Sequence, residues 1–287
     1  MKIAYLLQTH KNWEQLALLI RLLKESWNEI FVHVDAKARF DEEQLHQLIP
    51  NIDVRFVQPR VKVYWGHDSQ VHATLALLRS AFHAPENFDR FILLSGQDLP
   101  IKTNDHIFQF FDNNPHEYLQ YYQFPIKWWV YNGYDRLQIY NFPAALGPFW
   151  NKINRRIQML FPFRRPLPFD GALFAGCQWF NLTRGAVEYV LQYVQTTNIL
   201  NRIKYSSCVD EIFFQSILLN SPFAGTCQCD DLRYADWELH GSNPKTLDQS
   251  DLQKLQESTA LFARKFDQTH DPAIIQSVMQ ILEKSPR

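Results

Sequence analysis

The chain has 287 residues, with 29 Lys and Arg against 30 Asp and Glu for a formal charge of −1, a balance that argues against a surface built to hold nucleic acid. Hydrophobic residues make up 46% and aromatics 15% of it. That suffices for a sizeable core, and without a Gly/Ser linker or an internal repeat the expectation is a single domain over 1–287.

Residues 3–7 read as a first strand, reached without the charged leader and apolar region of a signal peptide. No run approaches the roughly 18 apolar residues of a membrane span, so the expected location is the cytoplasm. Leu16, Leu19, Ile20 and Leu23 recur at helical spacing after a candidate cap at Asn12. Residues 30–34 form a second strand ending at Asp35. Such a β-α-β opening predicts parallel strands and puts His10 and Asp35 at neighbouring carboxyl ends. There Asp35 can accept from a nucleoside or cap a helix.

Short strands are expected at 54–57 and 61–64, then a helix carrying Val71, Leu75, Leu78 and Phe82 behind a cap at Asp68 or Ser69. Residues 91–94 are an unbroken apolar run too short for an ordinary helix, which marks a strand covered on both faces. Gly96 and Pro100 bracket Asp98 at its carboxyl end, where open α/β sheets bind ligands. On local pattern alone, a plain turn with a surface Asp fits as well. A helix through Ile107, Phe110 and Phe111 and a strand over 117–124 of the same sheet follow.

From about 124 to 168 the chain becomes aromatic and basic and is broken by prolines. Trp128, Trp129, Tyr131, Tyr134 and Trp150 accompany Lys127, Arg136, Lys152, Arg155, Arg156, Arg164 and Arg165, with Asp135 the lone acid. Three readings stand: an acceptor groove, peripheral contact with an anionic inner membrane face, or an insertion packed on the sheet with solvated arginines. A strand over 176–183 then leads to a helix around Val187, Val190, Leu191 and Val194. Its sequon at Asn181 has no evident use in a chain read as cytoplasmic. Asp210 and Glu211 open a helix with Phe214, Ile217 and Leu218 on its apolar face, where acids complement the dipole and are also rigidly aimed. A loop at 241–245 and a last helix over 272–282 close the chain. Cys177, Cys208, Cys227 and Cys229 are too few and too unevenly spaced for a disulfide scaffold or a zinc site, and are read as reduced.

In order, YLLQTH, HVDAK, VYWG, LLSGQDLPI, QWFNLTR, VDEIFFQSIL, LRYADW with SNPK, and LFARKFD resemble the core-2/I-branching β-1,6-N-acetylglucosaminyltransferase family, related to the protein O-xylosyltransferases. The compact form is similar to that of a bacterial member. The resemblance implies a GT-A-type α/β fold, with a mostly parallel central sheet flanked by helices. It implies inverting transfer of a sugar, N-acetylglucosamine or xylose, from a UDP donor to a hydroxyl on a glycan or lipid-linked acceptor. By motif match Glu211 is the general base, Arg233 and Lys265 hold the donor diphosphate, His10, Asp35 and Asp98 line the donor site, and Trp179 lies near the acceptor.

The chemistry agrees with that assignment. One displacement with inversion needs a base on the acceptor hydroxyl, and the departing diphosphate needs positive charge. The chain has no Asp-x-Asp motif, so no metal or other cofactor is expected and fixed cations take the charge. The alternatives are a catalytically silent UDP-sugar- or glycan-binding protein on the same fold, and a glycoside hydrolase. The latter needs a second carboxylate, for which Glu211 has no convincing partner.

Overall fold

The computed structural model describes residues 1–161, 164–237 and 243–284. Its strands are β1 (Ile3–Thr9), β2 (Asn28–Val34), β3 (Arg55–Phe56), β4 (Arg90–Ser95), β5 (Asp98–Pro100), β6 (Glu117–Leu119), β7 (Tyr122–Gln123), β8 (Phe174–Ala175), β9 (Phe180–Thr183), β10 (Cys227–Gln228), β11 (Arg233–Ala235) and β12 (Phe262–Arg264). The helices are α1 (Trp13–Leu23), α2 (Glu42–Leu48), α3 (Ser69–Phe82), α4 (Asn104–Phe111), α5 (Asp135–Gln138), α6 (Pro143–Leu160), α7 (Arg184–Thr196), α8 (Ile199–Ile203), α9 (Phe213–Leu218), α10 (Leu252–Glu257) and α11 (Pro272–Lys284).

A 7-stranded sheet runs β10-β6-β9-β4-β1-β2-β3, which sets β4 at its centre. Only β9 runs against its neighbours, so this is the mostly parallel α/β sheet expected. The apolar runs of β1, β2 and β4 make this possible because alternate residues face opposite sides. Leu6, Phe31, Phe91 and Leu93 join one core with residues of α3, α7 and α9. Tyr5, Leu7, Ile30, Val32, Ile92 and Leu94 join the other, under α1, α4 and α11. A second sheet, β11-β12-β5, carries the carboxyl-terminal strands onto the end of β4.

Several local expectations are corrected. Asn12 precedes α1 in a left-handed conformation without capping it, and its side chain instead donates to Asp267 at 3.1 Å. Residues 61–64 are not a strand; their backbone is held by His33 and Asp35 side chains. Asp68 caps nothing at α3 and pairs with His67 and His72, while Ser69 accepts from the Tyr64 amide. The strand expected over 117–124 splits into β6 of the main sheet and β7, which pairs with β8 in a separate ribbon. Of 176–183 only β9 is extended in the sheet, and Asn181 is fully buried, donating to the Asp231 carbonyl, so the sequon cannot carry a glycan. Part of the loop at 241–245 lies outside the described residues. All four cysteines are free.

Candidate active site

Register places the site. Gln8 lies beside His33 and Ser95, and Thr9 beside Val34, so His10, Asp35 and Gly96 emerge together at the carboxyl edge of three parallel strands. A cleft of about 520 Å³ opens there, at the position where such sheets take ligands. The Asp35 carboxylate accepts from the Lys37 and Val63 amides at 2.9 and 3.2 Å, which fixes it at the rim. Gly96 is required by closeness rather than by an unusual φ: a Cβ there would sit 2.7 Å from Thr9 Oγ1.

Glu211 lines the same cleft but does not begin a helix. A short 3-10 turn, Val209–Glu211, precedes α9, with Ile212 at φ −123° between them. The side chain is held instead by Arg136, which donates to its carboxylate and lies 3.4 Å from the centre of the Trp129 ring. Neighbouring Asp210, read from sequence only as a helix-opening acid beside Glu211, also lines the cleft. Burial, followed by the Glu211 charge, pushes its carboxyl up to about 7. Gln70 donates to one oxygen at 2.6 Å, and the other is buried without a hydrogen-bond partner.

Both expected cations line the cleft but are held differently. Arg233 has a side chain with 0% exposure, 3.6 Å from Asp98, and donates to the carbonyls of Leu93 and of Asp231. Asp98 is itself fully buried and accepts from the Ser95 amide and hydroxyl. Far from being a surface turn residue, it anchors Arg233 and stands 3.8 Å from Arg264, behind the cleft rather than on its lining. Lys265 lines the cleft and is part-buried, and burial together with Lys11 and Arg264 lowers its pKa.

Arg264 is the cation that sequence reasoning missed. It lines the cleft with Nε and Nη1 buried and without hydrogen-bond partners, and its guanidinium stands 4.3 Å from the centre of the Trp179 ring. A buried donor without a partner is costly unless a ligand completes it. The signal was present in the Arg-Lys pair of LFARKFD, although only burial separates the two. Trp179 is 8% exposed, belongs to a core and lines the cleft with Arg233 and Arg264 over its ring. Trp65 and Trp237, at 68% and 50% exposure, also line the cleft and keep open faces. Both lie in motifs that carried the resemblance, without a role given to either.

Fold and site together define an α/β protein with its ligand cleft at the carboxyl ends of parallel strands, lined by a held carboxylate and by cations at the end of β12. A family model described as Core-2/I-Branching enzyme matches residues 3–258, and the chain belongs to that family of glycosyltransferases. It is 27% identical over 308 residues to rat (Rattus norvegicus) xylosyltransferase 2, covering 98% of this chain and 33% of that protein. Human (Homo sapiens) xylosyltransferase 1 is 26% identical over 299 residues, covering 96% of this chain and 30% of that one. The chain thus spans about a third of the length of these relatives. Among solved structures, mouse xyloside xylosyltransferase 1 gives a TM-score of 0.40 at 16% identity, over 91% of this chain and 97% of that one, a similarity too low to argue from.

Proposed function

We propose that the chain transfers a sugar from a UDP donor to an acceptor hydroxyl with inversion at the anomeric carbon. The reading rests on a single observation: Glu211 and the unpartnered donors of Arg264 line one cleft at the strand ends. In this account the free oxygen of Glu211 takes the acceptor's proton, the acceptor oxygen bonds to the anomeric carbon, and the bond from that carbon to UDP breaks. Arg264 and Lys265 receive the charge that develops on the diphosphate, in a partly desolvated site where fixed cations act strongly. The lack of an Asp-x-Asp motif supports transfer without a metal. Arg233, which also lines the cleft with its Nε buried and without a hydrogen-bond partner, stands with them on the diphosphate side while bracing Asp98 and the strand ends. His10 and Asp35 take the nucleoside side, and the open rings of Trp65 and Trp237 stack on sugar.

The names of the similar xylosyltransferases favour xylose as the sugar, with N-acetylglucosamine second. The test is UDP release from a panel of UDP-sugars, with NMR of the anomeric configuration of the product. Release with UDP-xylose or UDP-N-acetylglucosamine and inverted product supports the account. Retention of configuration would remove the single displacement, and inertness towards every donor together with UDP binding would favour a silent binding protein.

A further inference from the structure

Among the described residues, ten of the twelve large apolar side chains that stand exposed fall between Tyr122 and Phe161, the other two being Trp65 and Trp237 in the cleft. The densest group is on α6 beyond its break at Gly147, where φ is 70°. This helix is amphipathic in the reverse sense. Its polar side faces the protein: Asn151 bonds Asn141 and the Phe142 amide, Asn154 and Gln158 bond the Tyr140 backbone, and Arg155 pairs with Asp135 at 2.9 Å. Phe149, Trp150, Ile157, Leu160 and Phe161 point outward instead, at 50 to 84% exposure.

Positions 149, 150, 157 and 160 fall within about a third of the helix circumference, with Phe161 following at its end, and exposed Lys152 and Arg156 border one edge of that arc. No Asp or Glu occurs between Asp135 and Asp170. An apolar stripe edged by cations and free of acids in its own segment is complementary to an anionic lipid surface. Neutral protein partners would not need the cations, and a soluble glycan would not need the stripe. Of the readings open from sequence, a packed insertion with solvated arginines fails in part, because Arg136, Arg155 and Arg165 tie the segment down.

We infer that α6 is a membrane-docking element, whose outward face lies in the headgroup region of a bilayer rich in anionic phospholipid. The position has a consequence for the cleft. The segment is bolted to its rim, since Asn141 donates to the carbonyl of Gly66 at 2.9 Å and Arg136 holds Glu211. Docking through α6 therefore keeps the docked segment tied to the Glu211 side of the cleft, the side on which an acceptor built on a lipid would present its hydroxyl.

The test is sedimentation of the full chain with vesicles of phosphatidylcholine alone or mixed in equal parts with phosphatidylglycerol. The wild type is expected to partition on the order of tenfold more strongly onto the anionic vesicles and to be released by salt. Trp150→Ser with Leu160→Ser, and separately Lys152→Gln with Arg156→Gln, are each expected to lower that partition by about tenfold without changing the melting temperature, because all four side chains are exposed. Wild-type protein that stays in the supernatant with anionic vesicles overturns the inference, as do variants that bind unchanged. A dimer in light scattering that Trp150→Ser with Leu160→Ser dissolves, in a chain that ignores vesicles, would assign this face to a second copy. Vesicle binding is independent of sugar transfer, so failure here leaves the proposed reaction standing.

Discussion

Arg136 donates to the Glu211 carboxylate while its guanidinium rests on Trp129, so the proposed base is aimed by a residue 75 positions earlier in the chain. That pair joins the aromatic insertion to the chemistry. Arg136→Met is expected to lower kcat by about tenfold and leave the donor KM nearly unchanged, since positioning acts on the reacting geometry. Arg136→Lys should restore part of the loss. A matching rise in donor KM with kcat intact would make Arg136 a donor contact instead.

Asp98 offers a sharper choice between structure and binding. It faces Arg233, whose side chain is fully buried, and removing one partner of a buried pair commonly costs about 3–5 kcal/mol. Asp98→Ala is therefore expected to lower unfolding stability by that amount in urea, and Asp98→Asn by less. A variant of wild-type stability that no longer binds UDP would return Asp98 to the donor site.

The difference between what was legible and what was not follows from range. β4 was readable because 91–94 are consecutive apolar residues, and a strand covered on both faces needs nothing more. His10 and Asp35 were readable because parallel register is local to one β-α-β unit. The burial of Asp98 was not, because its partners Arg233 and Arg264 come from the far end of the chain. Glu211 was singled out by motif, yet its support was misplaced: a helix start was expected, and a 3-10 turn with Arg136 is present. The reversed face of α6 was hidden for a related reason. Periodicity shows that a helix has two sides, not which of them the fold will cover.

Asp210 makes stability depend on pH. Its carboxyl is raised by burial to about 7, so the folded protein holds this proton more tightly than the unfolded chain does. The stabilisation is complete below the unfolded value near 3.8 and is lost as pH rises through about 7. Asp210→Asn resembles the protonated acid and can still accept from Gln70. The melting temperature of that variant relative to wild type is expected to gain more at pH 8 than at pH 5. An equal difference at both values would show that Asp210 titrates normally.

Transfer is expected to persist in excess EDTA and to gain little from added Mn²⁺ or Mg²⁺, because the chain lacks an Asp-x-Asp motif and Arg264 and Lys265 line the cleft. Arg264→Met and Lys265→Met should each weaken UDP binding by about tenfold, the scale of one charge-assisted hydrogen bond. Activity abolished by EDTA and restored by Mn²⁺ would transfer that role to a metal.

The central claim is that Glu211 is the base of a UDP-sugar transferase. Its most direct test is the initial rate of UDP release from UDP-xylose and UDP-N-acetylglucosamine by wild type and Glu211→Gln, with UDP affinity measured in parallel. The account predicts turnover by the wild type, a loss on the order of a hundredfold or more in the nearly isosteric variant, and unchanged UDP affinity. Near-wild-type release by folded Glu211→Gln would contradict it.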